Sequence, residues 1–220
     1  MQRDFWLERW QRGEIGFHQN EINQYLRKYW DRTRTEHPDS KVFVPLCGKT
    51  LDMLWLRDQG HAVTGIELSK IAIMDFFKEN DINFDVTHHP MMIEHAADRI
   101  SLLCGDFFDL NEQDLEHHHL VYDRAALIAL PEEMRQSYVK HLTDVLPAEV
   151  RILQVIMTYP QEEMDGPPFA VAEDELYALY GKSFVIEKLD SFDIFAENPK
   201  FRERGLSGLT ESIFLIKRTR

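Results

Sequence analysis

Residues 41–50 read Lys41-Val-Phe-Val-Pro-Leu-Cys-Gly48-Lys49-Thr50, a short β-rich run ending in a turn. A helix follows to Asp58, with Leu51, Leu54 and Trp55 on one side. Strand, turn and helix form the first half of a βαβ unit. Working outward, His61 to Leu68 repeats the pattern: a second strand, Ser69 as cap, and a helix from Lys70 to Glu79 carrying Ile71, Ile73, Phe76 and Phe77. The alternation continues through Phe84–Thr87, Ile100–Cys104 and Leu120–Arg124. A helix over Glu132–Val145 follows Pro131, and Val150–Met157 is so nearly continuous in apolar residues that it reads as a buried parallel strand.

The flanks differ. Upstream, Asp4–Gln11 and Glu21–Trp30 read as helices, Asn20 being the expected cap of the second. Downstream come a Pro-rich loop over Tyr159–Phe169, a helix near Glu173–Tyr180, and the β-like runs Phe184–Leu189 and Ser212–Lys217. With no evident crossover helix between them, these last two are expected as an antiparallel pair at the end of the sheet. No internal repeat, low-complexity tract or linker interrupts the chain. The expectation is one α/β domain: a helical N-terminal extension over 1–32, a ligand-binding core over 41–157, and a substrate loop with C-terminal strands over 158–220.

Composition narrows the function. The 220 residues hold 25 Lys plus Arg against 38 Asp plus Glu, a formal net charge of −13. Such a surface repels a polyanion, so no nucleic-acid partner is expected, and the short basic end Lys217–Arg220 reads as a solvated terminus. No apolar run reaches the roughly 18 residues of a membrane span. Two cysteines, Cys47 and Cys104, cannot build a disulfide framework. The opening stretch has acids and tryptophans where a signal peptide needs an apolar segment, so a reduced, cytoplasmic protein is expected.

In an open α/β sheet, ligands bind beyond the carboxyl ends of the strands. The residues there are Pro45–Lys49 after the first strand, Glu67 at the tip of the second, Gly105-Asp106-Phe107, and Asp123-Arg124. The first turn has a lone glycine and lacks both G-x-G-x-x-G and the phosphate-loop spacing that Gly48-Lys49-Thr50 superficially suggests. Glu67, about 20 residues after that turn, is placed to accept both hydroxyls of a ribose. That geometry serves NAD and S-adenosylmethionine alike. Asp106 and Phe107 are placed to hold an adenine by its amino group and ring. Arg124 either pairs with Asp123 to cap the next helix or reaches into the site. The clusters His88-His89 and His117-His118-His119 lack the spacing of a metal site and read as solvated loops, so no metal is expected. Cys47 reads as a small packed residue and not as a nucleophile.

Five blocks, taken together, resemble the thiopurine S-methyltransferases of bacterial type. They are Phe5-Trp6-Leu-Glu-Arg-Trp10-Gln-Arg-Gly13 with Gly16-Phe17-His18-Gln19; Val44-Pro-Leu-Cys-Gly-Lys49; Gly60-His61 leading to Gly65-Ile66-Glu67; Tyr122-Asp-Arg-Ala-Ala-Leu127; and Gly166-Pro-Pro-Phe169. The resemblance implies a Rossmann-like class I S-adenosylmethionine-dependent methyltransferase with a mostly parallel sheet and an antiparallel C-terminal pair. It implies that Trp10, Leu46, Glu67 and Arg124 contact S-adenosylmethionine, with Asp106 and Phe107 around the adenine and S-adenosylhomocysteine as product. Trp6 and Phe17 are then lid residues over cofactor and substrate, and Pro167 and Pro168 match the loop against a flat thiopurine ring. A further substrate-facing cation is one of Lys200, Arg202 and Arg204.

The expected activity is S-methylation of thiopurines or other small aromatic thiols by a monomer. Arg124 is expected to stabilise the thiolate or to position a water at the ring nitrogens, with Asp123 an orienter and not the base. Methylation of selenium or tellurium oxyanions, halide or thiocyanate is the alternative within the same cofactor class, and a non-catalytic nucleotide-binding module lies outside it. The lone glycine fits a sulfonium cofactor, which has no pyrophosphate to cradle.

Overall fold

The structure is a computed structural model that describes residues 3–218; Thr219 and Arg220, half of the basic end, lie outside the described residues. The helices are α1 (Arg3–Arg12), α2 (Gln24–Tyr29), α3 (Asp52–Asp58), α4 (Lys70–Glu79), α5 (Glu132–Val145), α6 (Glu173–Tyr180) and α7 (Pro199–Glu203). The strands are β1 (Val42–Val44), β2 (Val63–Glu67), β3 (Asp85–His88), β4 (Ile93–Ala97), β5 (Ile100–Cys104), β6 (Leu120–Arg124), β7 (Arg151–Thr158), β8 (Phe184–Asp193) and β9 (Thr210–Arg218). They form one sheet in the order β3-β4-β5-β2-β1-β6-β7-β9-β8.

The central five strands, β5 to β7 in that order, are parallel, and both edges are antiparallel. Apolar side chains fill both faces. Leu26, Met53, Leu56, Ile73 and Phe76 from α2, α3 and α4 cover one; Tyr138, Leu142, Leu176 and Tyr180 from α5 and α6 cover the other. The chain leaves β1 toward β2 on one side and toward β6 on the other, so the strand order reverses at β1. A crevice opens there at the carboxyl ends.

Local chemistry sets the ends of the helices. Ser69 caps α4 by accepting the Ala72 N–H, as the sequence predicts. The cap of α2 is Asn23 and not Asn20: its side chain accepts the Tyr25 and Leu26 N–H groups. Asn23 in turn donates its N–H to Asp52 (2.8 Å), whose other oxygen accepts the Tyr122 hydroxyl (3.1 Å). Buried Asp52 thereby ties α2, α3 and β6 together below the rim.

Two features differ from the sequence reading. The run near Phe84 is not a parallel member of the sheet; β3 pairs antiparallel with β4, a strand the sequence does not announce. Ile93-Glu-His-Ala-Ala97 has one β-branched residue, and its polar members find strand partners instead: Glu94 accepts from Ser101, and His95 is buried. Of the histidines at 117–119, expected as a solvated loop, His117 is exposed but the other two are packed. His118 is buried against Thr64 (2.8 Å), with burial holding its pKa at about 4, and His119 stacks on His37 at 3.7 Å between ring centres. Among the described residues no three His, Cys, Asp or Glu side chains gather as metal ligands, and no helix is long and apolar enough to cross a membrane.

Gly65 on β2 permits the close approach of β1 and α3. A Cβ there would stand 2.6 Å from Cys47 Sγ, 2.9 Å from Leu102 Cδ2 and 3.1 Å from Met53 Sδ. Gly65→Ala is expected to cost about 1–3 kcal/mol, read from the urea midpoint. The Cys47 thiol is buried and pushed well up in pKa by that burial and by Glu67, which suits a packing residue.

Candidate active site

The backbone is strained on both sides of the crevice. Leu46 after β1 has φ 46° and Ala125 after β6 has φ 65°, left-handed conformations that are uncommon for residues with a Cβ. Strain of about 1–3 kcal/mol each persists only where neighbours hold it, and such sites cluster at ligand clamps. The holder beside Ala125 is Asp123. Its side chain is fully buried on the face opposite Arg124, accepting the Tyr138 hydroxyl (2.7 Å) and the Leu127 N–H (3.3 Å). Asp123, expected as an orienter, fixes the turn that carries Arg124. The Phe107 ring, expected near the adenine, is buried against Tyr138 and His141.

Glu67 ends β2 and is 7% exposed. One carboxylate oxygen accepts the Gly48 N–H (3.0 Å), the other the Ser69 N–H (2.8 Å). Burial outweighs these bonds and raises its pKa to about 7. Each oxygen has a lone pair to spare, so a vicinal diol would satisfy it. The first turn, by contrast, has few donors left for a phosphate. The Cys47, Gly48 and Thr50 N–H groups already bond Ile66, Glu67 and Cys47, and Lys49 is buried in an ion pair with Glu79 (2.6 Å). Beyond Glu67 a cavity of about 340 Å³ opens, lined by Leu68, Met91, Cys104, Gly105 and Asp106 among others. The half-buried Asp106 side chain accepts the Phe108 N–H (3.0 Å).

The N-terminal segment folds over the crevice. Trp6 and Trp10 each meet Phe17 edge to face, at 5.6 and 5.7 Å between ring centres. Trp10 is buried on Gly48, where a glycine Cβ would stand 3.3 Å from its ring. His18, which the sequence reading passes over within Gly16-Phe-His-Gln19, also faces the site. Burial first, then the charges of Lys49 and Arg124, lower its pKa, keeping it neutral at pH 7.

On the other side of the crevice Arg124 is half-buried, and its side chain makes no hydrogen bond or ion pair among the described residues. The Pro-rich loop, with cis peptides at Gly166-Pro167 and Pro167-Pro168, is held by the Tyr159 hydroxyl on the Pro168 carbonyl (2.6 Å). Of the three candidate cations, Arg204 exerts its charge on Tyr159, whereas Arg202 is engaged with the Ala196 carbonyl.

A doubly wound sheet with a buried acid at the end of its second strand is the class I methyltransferase arrangement, and the lone glycine of the first turn departs from the glycine-rich loop usual there. The chain superposes on an S-adenosylmethionine-dependent methyltransferase from Anabaena variabilis with a TM-score of 0.66 at 14% identity, covering 99% of this chain and 95% of that one. A 1,6-didemethyltoxoflavin-N1-methyltransferase from Burkholderia thailandensis, solved with S-adenosylhomocysteine, gives 0.64 at 15%, covering 99% and 87%. At these identities the likeness shows the fold.

Sequence goes further. The profile of the thiopurine S-methyltransferase family matches residues 1–219, and the chain belongs to that family. It is 51% identical over 216 residues to the thiopurine S-methyltransferase of Nitrosospira multiformis, covering 98% of each chain. Against that of Pseudomonas aeruginosa it is 46% identical over 218 residues, covering 99% of this chain and all of the other.

Proposed function

We propose that this protein S-methylates small aromatic and heterocyclic thiols, thiopurines among them, with S-adenosylmethionine as donor, and that it does so as a cytoplasmic monomer. The observation that carries the reading is Glu67. A buried carboxylate with its pKa raised to about 7 and spare lone pairs beside a turn depleted of N–H donors suits a phosphate-free nucleoside. Glu67 would hold the ribose hydroxyls, Asp106 and the Phe107 backbone the adenine, and Leu46 the remainder of the cofactor beyond the ribose. When bound, the cofactor supplies an electrophilic methyl on a sulfonium, which leaves as a neutral thioether.

The chain has three tasks in that chemistry. Trp6, Trp10 and Phe17 exclude water and present ring edges and faces to the cation, each good cation–π contact being worth about 0.5–2 kcal/mol. Pro167, Pro168 and Arg204 hold the flat acceptor. Arg124 stabilises its thiolate and aligns the sulfur for in-line attack. Because donor and acceptor both lose charge, a dry site favours the transition state.

Calorimetric titration with S-adenosylmethionine and S-adenosylhomocysteine tests the reading, followed by turnover of 6-mercaptopurine, thiophenol and selenium oxyanions. Absence of binding removes it, and preference for the oxyanions replaces the acceptor. Trp10→Ala is expected to weaken S-adenosylmethionine binding about 10-fold with the fold retained. Unfolding with undiminished affinity in the folded fraction would make Trp10 a core residue only.

A further inference from the structure

Glu211, the residue after the first of β9, pairs with Met157 near the carboxyl end of β7 and lies outside every block that marks the family resemblance. In the register, Arg124 pairs with Val155 and Val155 with Ile213, which places Glu211 two residues nearer the rim and two strands from Arg124. The backbones there stand roughly 10 Å apart. Both side chains belong to the face under α2: Tyr122 and Ile213, each two residues away along its strand, are in the core beneath that helix. The Arg124 charge acts on Glu211, yet no ion pair joins them. The two opposite charges thus share one face at the rim without pairing.

The third member is Tyr25 on α2. It is 3% exposed and stacks on Phe192 at 5.3 Å, and its buried hydroxyl has Glu211 beside it without a well-aligned hydrogen bond. That hydroxyl faces Glu211, close enough to hold its carboxyl down in pKa although burial, the larger effect, raises it. A buried hydroxyl left unpaired costs about 1–3 kcal/mol, and a small shift of the half-buried carboxylate satisfies this one, so Tyr25 steadies Glu211 at the rim.

We propose that Glu211 is the base of the acceptor site, taking the ring N–H proton of a heterocyclic thione while Arg124, on the same face two strands away, holds the sulfur. The inference rests on the methyltransferase reading above and adds the fate of a proton. Heterocyclic thiols exist largely as thiones, with hydrogen on a ring nitrogen next to C=S. The thione sulfur attacks the methyl carbon, forming S–CH3 as the bond from that carbon to the sulfonium breaks and its electron pair goes to the departing thioether. The N–H proton passes to a Glu211 oxygen, and the N–H electron pair becomes the ring C=N bond. The product is neutral, and Glu211 then loses its proton to solvent. Without a base, the product would be a cation confined beside Arg124.

The groups facing Glu211 set its titration. They are Tyr25 from α2 and Arg124 from β6; Glu197 acts on the same tyrosine. Its cross-strand neighbours Met157 and Phe192 carry no charge, and Lys28, which lies over Phe192, pairs with Asp190 (3.2 Å). Since the ionised form is the base, thione turnover rises with pH through the Glu211 pKa.

The test compares kcat/KM for 6-mercaptopurine, which has the ring N–H, with that for thiophenol, which does not. In Glu211→Gln the thione-to-thiophenol ratio falls about 100-fold and the acid limb of the thione profile disappears, while S-adenosylhomocysteine still binds. Tyr25→Phe, which keeps the acid and removes the hydroxyl that holds it down, moves that limb to higher pH. An unchanged ratio, or equal loss on both acceptors with an unmoved limb in Tyr25→Phe, overturns the assignment. If the wild-type protein binds no S-adenosylhomocysteine, the methyltransferase reading fails first and the role of Glu211 falls with it.

Discussion

Glu67→Gln is expected to raise the Kd for S-adenosylhomocysteine by at least about 100-fold while the chain stays folded. Two hydroxyl groups donating to one carboxylate make charge-assisted bonds of about 1.5–3 kcal/mol each. The Gly48 and Ser69 N–H groups address different oxygens of Glu67, so an amide turns its NH2 toward one of them and offers the diol a single, already occupied acceptor. A Kd within threefold of wild type would remove Glu67 from the nucleoside site.

The same substitution has a signature in stability that needs no ligand. Glu67 has its folded pKa raised to about 7 from an ordinary 4.5 by burial. Below 4.5 both folded and unfolded chains hold the proton and nothing is lost. Between 4.5 and 7 the unfolded chain has released it and the folded chain has not, so stability falls as pH rises. The loss is complete above 7, on the order of 3 kcal/mol. Urea midpoints across pH 4.5 to 8 should show that decline in the wild type and lack this component in Glu67→Gln. Hydroxyl donation favours the carboxylate, so ligand binding near pH 7 should release a proton, visible as a buffer-dependent heat.

The frame of the molecule is legible in the sequence where local and global signals agree. Ser69 caps the helix that the apolar pattern predicts, Pro131 precedes α5, and the apolar run of β7 is buried on both faces. The place of Glu67 is readable because an open sheet puts the tip of its second strand at the rim of the crevice. What failed depended on partners remote in sequence. Ile93–Ala97 is a strand only because β3 and β5 flank it. Asp123 and Arg124 are adjacent, and a strand points neighbours to opposite faces, so one is core and the other rim. Glu211 reads as the polar edge of an apolar run until the register sets it across from Arg124. Arg204 separates from Lys200 and Arg202 only through Tyr159, over 40 residues away in sequence.

Arg124 is where fold and chemistry come apart most cleanly, which makes its substitution the sharper test of the reaction. Its side chain has no hydrogen-bond or ion-pair partner among the described residues, so Arg124→Met should leave the urea midpoint within about 0.5 kcal/mol of wild type. Turnover of an ionised thiol should nevertheless drop about 10²–10³-fold, the loss typical when a preorganised charge or donor is withdrawn from the reacting atom. Arg124→Lys keeps the charge without the fork, so it should recover part of the rate. A second effect separates this account from simple weakening of acceptor binding. The Arg124 cation holds the Glu211 carboxyl down, so its removal moves the acid limb of the thione profile to higher pH. A rate loss confined to KM, with the limb in place, would make Arg124 a binding contact and leave the thiolate to other groups.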